Sequence, residues 1–295
     1  MTRFLALLVA AGLVVGALVV RAAIDDDDDT GDGDGRTTLV VCAEELASAC
    51  DALDADYDVR VEDAADTADR VAGSAATDVD VWVTTSPWPA MVDDVRARAG
   101  LDPRFAASPT AAGRTRLAVV GPADLEGCDW RCLGERAADD LRLGSRPLGS
   151  TGLGVLTVAA AAAGWFGSPA FATNDFDAEF DRWLAGFAAG VEASSGPVRQ
   201  LLQSRAFFDA AIDLEATAAT ALASASADRS AGLTLQYPAP VATIEAVVAR
   251  VGAGAPDDIV AVVSEHLREL GWEAASDGPT GLPSAGVLIA LRDRV

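Results

Sequence analysis

The sequence predicts an α/β protein with parallel sheet, and three observations carry that reading. From Thr37 onward, short β-branched runs alternate with helix-length segments, the pattern of strands joined by right-handed crossovers. Hydrophobic residues make up 51% of the chain and aromatics only 6%, as in a core built from Ala, Val and Leu. The stretch Arg146-Pro147-Leu148-Gly149-Ser150-Thr151-Gly152 reads as a strand end, a tight turn and a helix start, and the apolar run Leu153 to Ala163 behind it reads as a buried helix. At 295 residues the chain has room for two domains of ordinary size.

Residues 1–22 read as a membrane anchor or a signal peptide. Phe4 to Val20 is uncharged and follows Arg3; as a helix it would span about 25 Å, slightly short of a hydrocarbon core. Val20-Arg21-Ala22 makes a poor cleavage site, which favours the anchor, and either reading exports the rest of the chain. Residues 23–35 read as an acidic, disordered linker, because Asp25 to Gly35 can bury nothing. A calcium loop starting at Asp25 would need a Glu at its twelfth position, which is Arg36.

The net charge of −23 excludes a nucleic-acid binder and disfavours anionic surfaces. It leaves room for one small anion in a cleft, where local donors outweigh distant screened charge. The four cysteines of an exported chain predict disulfides. Cys42 with Cys50 and Cys128 with Cys132 are close pairs, so two local bridges are expected among three connectivities. No metal site is predicted, since Cys128 to Cys132 offers two thiols and no nearby His.

In order, Thr37 to Val41, Tyr57 to Glu62 and Asp78 to Val83 read as strands. Glu44 to Leu53, Asp66 to Ala76 and Pro89 to Ala99 read as the helices between and after them. In a parallel sheet, ligands sit beyond the carboxyl ends of strands, here the loops Cys42 to Glu45 and Thr84 to Trp88. Thr115 to Val120 is a fourth strand and Leu133 to Asp140 a helix. The helix opened by Ser150 and Thr151 has free N–H groups suited to a carboxylate or oxyanion, although either residue could serve simply as an N-cap. Asp175 to Val191 reads as a helix whose Phe176, Phe180, Trp183, Leu184 and Phe187 form a core stripe. Helices are expected at Pro197 to Arg205, Phe207 to Ala225, Thr243 to Val251 and Asp257 to Leu270. Leu233 to Tyr237 reads as a strand and Gly286 to Leu291 as a last apolar stretch.

This order of elements resembles the extracellular solute-binding proteins of ABC importers, in their second structural type. The residues that carry the resemblance are Leu39-Val40-Val41-Cys42-Ala43, Asp80-Val81-Trp82-Val83-Thr84 and the crossing strand Arg116-Leu117-Ala118-Val119-Val120. Pro147 with Ser150-Thr151-Gly152, Asp209 through Glu215, and Leu235-Gln236-Tyr237-Pro238 continue it. The chain is most similar to the subgroup associated with von Willebrand factor type A domains, a domain absent from this sequence. The resemblance implies a two-lobed periplasmic-binding-protein-like fold with two crossing strands. Lobe one would be 36–122 plus 229–295 and lobe two 123–228. It implies a small-molecule or ion ligand held at the interface by Ala43, Glu44, Thr84, Thr85, Ser86, Ser150, Thr151 and Gly152, with Tyr237 near the hinge. The implied partners are an ABC permease or a von Willebrand factor type A protein, and the membrane through the N-terminal helix. No cofactor is implied.

The chain departs from that pattern where oxyanion-binding relatives place a small hydroxyl residue, just after the first strand. Here that position reads Cys42-Ala43-Glu44-Glu45. Glu44 facing inward would repel an anion once desolvated, so a cationic or neutral polar ligand, or a scaffold with a degenerate cleft, gains ground. An enzyme is not expected. The single His266 lies on a helix beside Glu265, and no Gly-x-Ser-x-Gly turn is present.

Overall fold

The computed structural model describes residues 37–53, 57–105, 109–251, 258–276 and 281–295. The apolar run 4–20 and the acidic stretch 25–35, with the anchor and linker expected there, lie outside the described residues. Among the described residues no helix is long and apolar enough to cross a membrane.

The described residues form nine strands: β1 (Thr38–Ala43), β2 (Tyr57–Glu62), β3 (Val81–Thr85), β4 (Thr110–Pro122), β5 (Leu143–Ser145), β6 (Val191–Ala193), β7 (Ala210–Leu214), β8 (Leu233–Gln236) and β9 (Thr243–Arg250). They form two sheets that share β4. The first runs β2-β1-β3-β9-β4, with β1 parallel to β2 and β3, and β9 antiparallel to both neighbours. The second repeats that order as β6-β5-β7-β4-β8, with β5 parallel to β6 and β7. Different residues of β4 serve the two sheets. Arg116 pairs with Thr243 of β9, and the next residue, Leu117, pairs with Leu214 of β7. The chain returns through β8, which pairs with the far end of β4, and residues 237–242 lead it back to β9.

Eleven α-helices pack around the described sheets: α1 (Ala47–Cys50), α2 (Ala64–Ala72), α3 (Pro87–Arg98), α4 (Trp130–Asp139), α5 (Gly152–Phe166), α6 (Ala178–Ala189), α7 (Pro197–Gln203), α8 (Glu215–Ser224), α9 (Ala227–Ser230), α10 (Ile259–Glu269) and α11 (Ala285–Arg292). Aspartates open several of them. Asp63 accepts from the Ala65 amide, Asp129 from Cys132, and Asp177 from Glu179 and Phe180, each satisfying amides that no helix turn can. The apolar helix α5 is buried from Gly152 through Ala163 and ends at Gly167, whose φ of 68° suits a residue without a β-carbon. The aromatic stripe on α6 is core, with Phe180, Leu184 and Phe187 all buried. The C-terminal helix α11 packs on α3 and also on α5, bridging helices that belong to different sheets.

Three expectations are corrected. Thr243–Arg250 is the strand β9, not a helix. Its Ala and Glu residues favour helix, but Thr243, Ile244, Val247 and Val248 are β-branched and the segment fills the gap between β3 and β4. Residues 207–225 are not one helix: Ala210–Leu214 is β7, buried on both faces between β4 and β5, followed by α8. A strand covered on both sides shows no alternation, so an Ala-rich one looks helical in sequence. The sheets are consequently mixed, not all parallel.

The disulfides join Cys42 to Cys50 and Cys128 to Cys132. The first ties the last turn of β1 to α1 and so pins the short 3₁₀ turn Glu44–Leu46 between them. Such small loops restrain the unfolded chain by about 2–3 kcal/mol each. Their larger consequence here is local geometry.

Candidate functional site

The carboxyl ends of β1, β3, β5 and β7 meet along the seam between the two sheets, where the fold leaves side chains free of sheet packing. A cleft of about 1180 Å³ opens there. Its first-sheet wall carries Glu44 and Glu45 after β1, with Leu267 and Trp272 beside them. Its second-sheet wall carries Arg146 after β5 and Asp213 near the end of β7. Arg199, Arg229, Gln200 and the hydroxyls of Ser195, Thr217 and Thr220 add to the polar lining.

Glu44 is exposed, and its carboxylate reaches Arg146 across the seam at 3.5 Å. Glu45, one residue later, does the opposite. Its carboxylate oxygens are sealed from solvent and make no hydrogen bond of normal geometry. They pack against the start of α5: a β-carbon at Gly152 would collide with Glu45 Oε1 and with Thr85 Oγ1. Burial pushes the Glu45 carboxyl up from its ordinary value. Its own amide, Arg146 and the Gly152 amide oppose that shift. The inward carboxylate after β1 is therefore Glu45, where Glu44 was expected.

Thr84 and Thr85 are fully buried, and neither hydroxyl has a partner; the same holds for the hydroxyl of Ser86. The Ser86 amide donates to the carbonyl of Glu245. Ala43 is buried in β1. Ser150 offers its carbonyl to the Ala65 amide of α2 at 3.0 Å. Thr151 is an N-cap, accepting from the Gly154 amide at 3.0 Å and donating to the carbonyl of Pro147 at 3.0 Å. The structure thus brings Thr85, Gly152 and Glu45 into contact. Of the residues singled out from the sequence for ligand contact, Glu44 alone lines the cleft.

Tyr237 lies at the hand-over in β4. Its hydroxyl donates to Glu215 Oε1 at 2.6 Å, and the Arg116 guanidinium stacks 4.2 Å above its ring. Arg116 grips Glu215 with two hydrogen bonds, 2.7 and 2.5 Å long. Those bonds hold the Glu215 carboxyl below its ordinary range. Tyr237 does not line the cleft.

Sequence reasoning missed Asp213, whose strand was taken for helix. It is 4% exposed, its Oδ1 accepts from the Leu214 amide at 2.8 Å, and burial raises its pKa to about 6. Arg146 and Arg199 favour its charged form. His266 pairs with Glu269 on its own helix, Nδ1 to Oε2 3.2 Å.

Among solved structures the chain is similar to a periplasmic thiamin binding protein (TM-score 0.56, 10% identity, 90% of this chain and 96% of that one). It is also similar to iron-bound HitA from Pseudomonas aeruginosa (0.54, 14%, 88% and 99%). A third is an ABC transporter protein from Clostridium perfringens (0.52, 11%, 87% and 97%). The fold is that of the two-lobed periplasmic binding proteins. No protein-family model matches the sequence, and no curated protein matches it. The lining of the cleft carries ionisable groups of both signs: Glu44, Glu45 and Asp213 with Arg146, Arg199 and Arg229.

Proposed function

We propose that this chain is an extracellular solute-binding protein that holds a small polar ligand between two lobes, 36–122 plus 229–295 and 123–228. The observation that carries the reading is the cleft itself. Strand ends from both sheets wall it, and they present Asp213, a buried carboxylate, near Arg146 and Arg199. Such a lining suits a ligand with both a cationic and an anionic group, or a neutral polar one, better than a simple oxyanion. Thr84, Thr85, Ser86, Ser150, Thr151 and Gly152 support the site from behind Glu45, and Arg116, Glu215 and Tyr237 form the pivot for lobe closure. The apolar run 4–20 would hold the protein at the outer face of the membrane. An ABC permease, or a von Willebrand factor type A protein of the subgroup it resembles, would be its partner.

A thermal-shift screen of the purified protein against metabolite and ion panels tests this, because a ligand specific to the folded state raises the melting temperature. A true ligand should lose at least ~10-fold in affinity in Asp213→Asn and in Arg199→Ala. A shift that survives both substitutions removes these residues from the site. One observation favours a second reading, a sensor or scaffold without a transported solute. The chain's own groups join the two sheets at the seam, through the Ala65 amide on the Ser150 carbonyl and the Glu45 carboxylate against Gly152. A panel in which nothing shifts the protein would favour that reading.

A further inference from the structure

We infer that Glu45 is an internal ligand: its side chain takes the position of a small carboxylate between the end of β3 and the start of α5, and holds the two sheets together without a solute. This inference stands on the seam alone and does not depend on solute transport.

The placement is specific. Among the described residues, the buried side-chain oxygens without a hydrogen-bond partner are those of Glu45, Thr84, Thr85, Ser86, Ser145 and Asp94. Asp94 has its ion pair with Arg98, so the rest gather at the carboxyl ends of β1, β3 and β5. Glu45 Oε1 and Thr85 Oγ1 crowd the same face of Gly152, which only a residue without a β-carbon can offer. The amides of Gly152 and Leu153 precede the first intrahelical bond, and the Thr151 hydroxyl serves Gly154. That leaves Glu45 as the carboxylate facing the positive end of α5.

The residues around it grip the same loop. The Ala65 amide bonds Ser150, Arg292 Nε donates to the Gly149 carbonyl at 2.9 Å, and Glu44 pairs with Arg146. Three elements, α2, α11 and the 3₁₀ turn after β1, therefore hold residues 146–152, and the one contact among them that desolvates a carboxylate is the one at Gly152. A carboxylate placed there costs stability unless the site around it is built to receive one. The disulfide Cys42–Cys50 holds the turn that aims Glu45 at it. In the wild-type protein the chain itself fills the position, and an outside oxyanion is shut out of it.

Removing the side chain should therefore create a receptor for small carboxylates. Thermal denaturation of the full chain in rising sodium formate or acetate, against sodium chloride at matched ionic strength, should show a saturable rise of ~5 °C in Glu45→Ala. Wild type and Glu45→Gln, in which the position is still filled, should show none. Adding Thr85→Val to Glu45→Ala should abolish the rise. An equal rise in wild type, or none in Glu45→Ala beyond chloride, overturns the inference. A readout that needs no emptied pocket is amide exchange at Gly152. It should speed about 10-fold in Glu45→Met, which keeps the volume but removes the negative charge facing the helix start. Unchanged exchange there overturns the inference as well.

Discussion

Two polar clusters join the sheets of this protein, one at the hand-over in β4 and one at the seam beyond the strand ends. At the hand-over, Arg116, Glu215 and Tyr237 pair with one another, through two guanidinium bonds, a phenol bond and a stacked ring. At the seam, Glu45, Thr85 and Ser86 come together with their oxygens unpaired. The hand-over is the more open of the two, with the Arg116 and Glu215 side chains 43% and 22% exposed, whereas the seam oxygens are sealed from solvent. A structural joint needs every group paired, because an orphaned buried polar atom costs about 1–3 kcal/mol. A cluster that tolerates orphans has another use, as a place where a ligand or an internal substitute for one is received.

The sharpest way to break that contrast is Gly152→Ala, which drives a methyl group into Glu45 and Thr85. It should cost about 2–3 kcal/mol by overpacking. In the Glu45→Ala background the cost should fall by more than half, a coupling that a double-mutant cycle in urea would read. Additive effects would show that Glu45 does not occupy that space.

Asp213→Asn should give an effect of about 2 kcal/mol in the opposite direction, from charge alone. The folded protein holds the Asp213 proton up to about pH 6, whereas an unfolded Asp releases it near 3.8. Folding thus binds a proton between those values, and stability falls as pH rises through that window. The variant should be more stable than wild type at pH 7.5 and lose that slope. At pH 3 the two should melt together.

Arg116→Ala should cost about 1–2 kcal/mol at neutral pH, discounted because the guanidinium is 43% exposed. Glu215 has its folded pKa lowered by Arg116. Its contribution is therefore present above about 4.5 and disappears as pH falls through the folded value. In Arg116→Ala the acid limb of the stability curve should be correspondingly flatter, and equal limbs would count against the paired joint. The smallest effect belongs to Glu44→Gln. Its long contact with Arg146, 3.5 Å and with the Glu44 side chain 46% exposed, should be worth under ~0.5 kcal/mol and weaken in 0.5 M salt. Glu44 and Glu45 are neighbours, so this comparison isolates what burial adds.

Much of the architecture was legible in local pattern. Leu39 to Ala43 and Val81 to Val83 are strands because nothing else suits such short β-branched runs. The Cys pairs were close enough in sequence to bridge, and Thr151 caps a helix where a hydroxyl followed a Pro-Leu-Gly turn. The errors share one cause. β7 is buried throughout and β9 from Ala246 to Ala249, so those residues follow no period of two, and their Ala content reads as helix. Losing β7 to a helix also hid Asp213, the carboxylate that its strand delivers to the cleft.

Residue types and their order determined the alternation of strand and helix, the two bridges and the presence of an amide-rich helix start. Those features depend on a few neighbouring residues, and local chemistry decides them. Only the tertiary structure decided which of two adjacent glutamates turns inward. In sequence Glu44 and Glu45 are indistinguishable. After β1 they sit on a 3₁₀ turn that points them apart. One meets Arg146 at the cleft and the other meets Gly152 in a sealed seam beside Thr85 of β3, because the second sheet, about a hundred residues further along the chain, brings Arg146 and Gly152 to them.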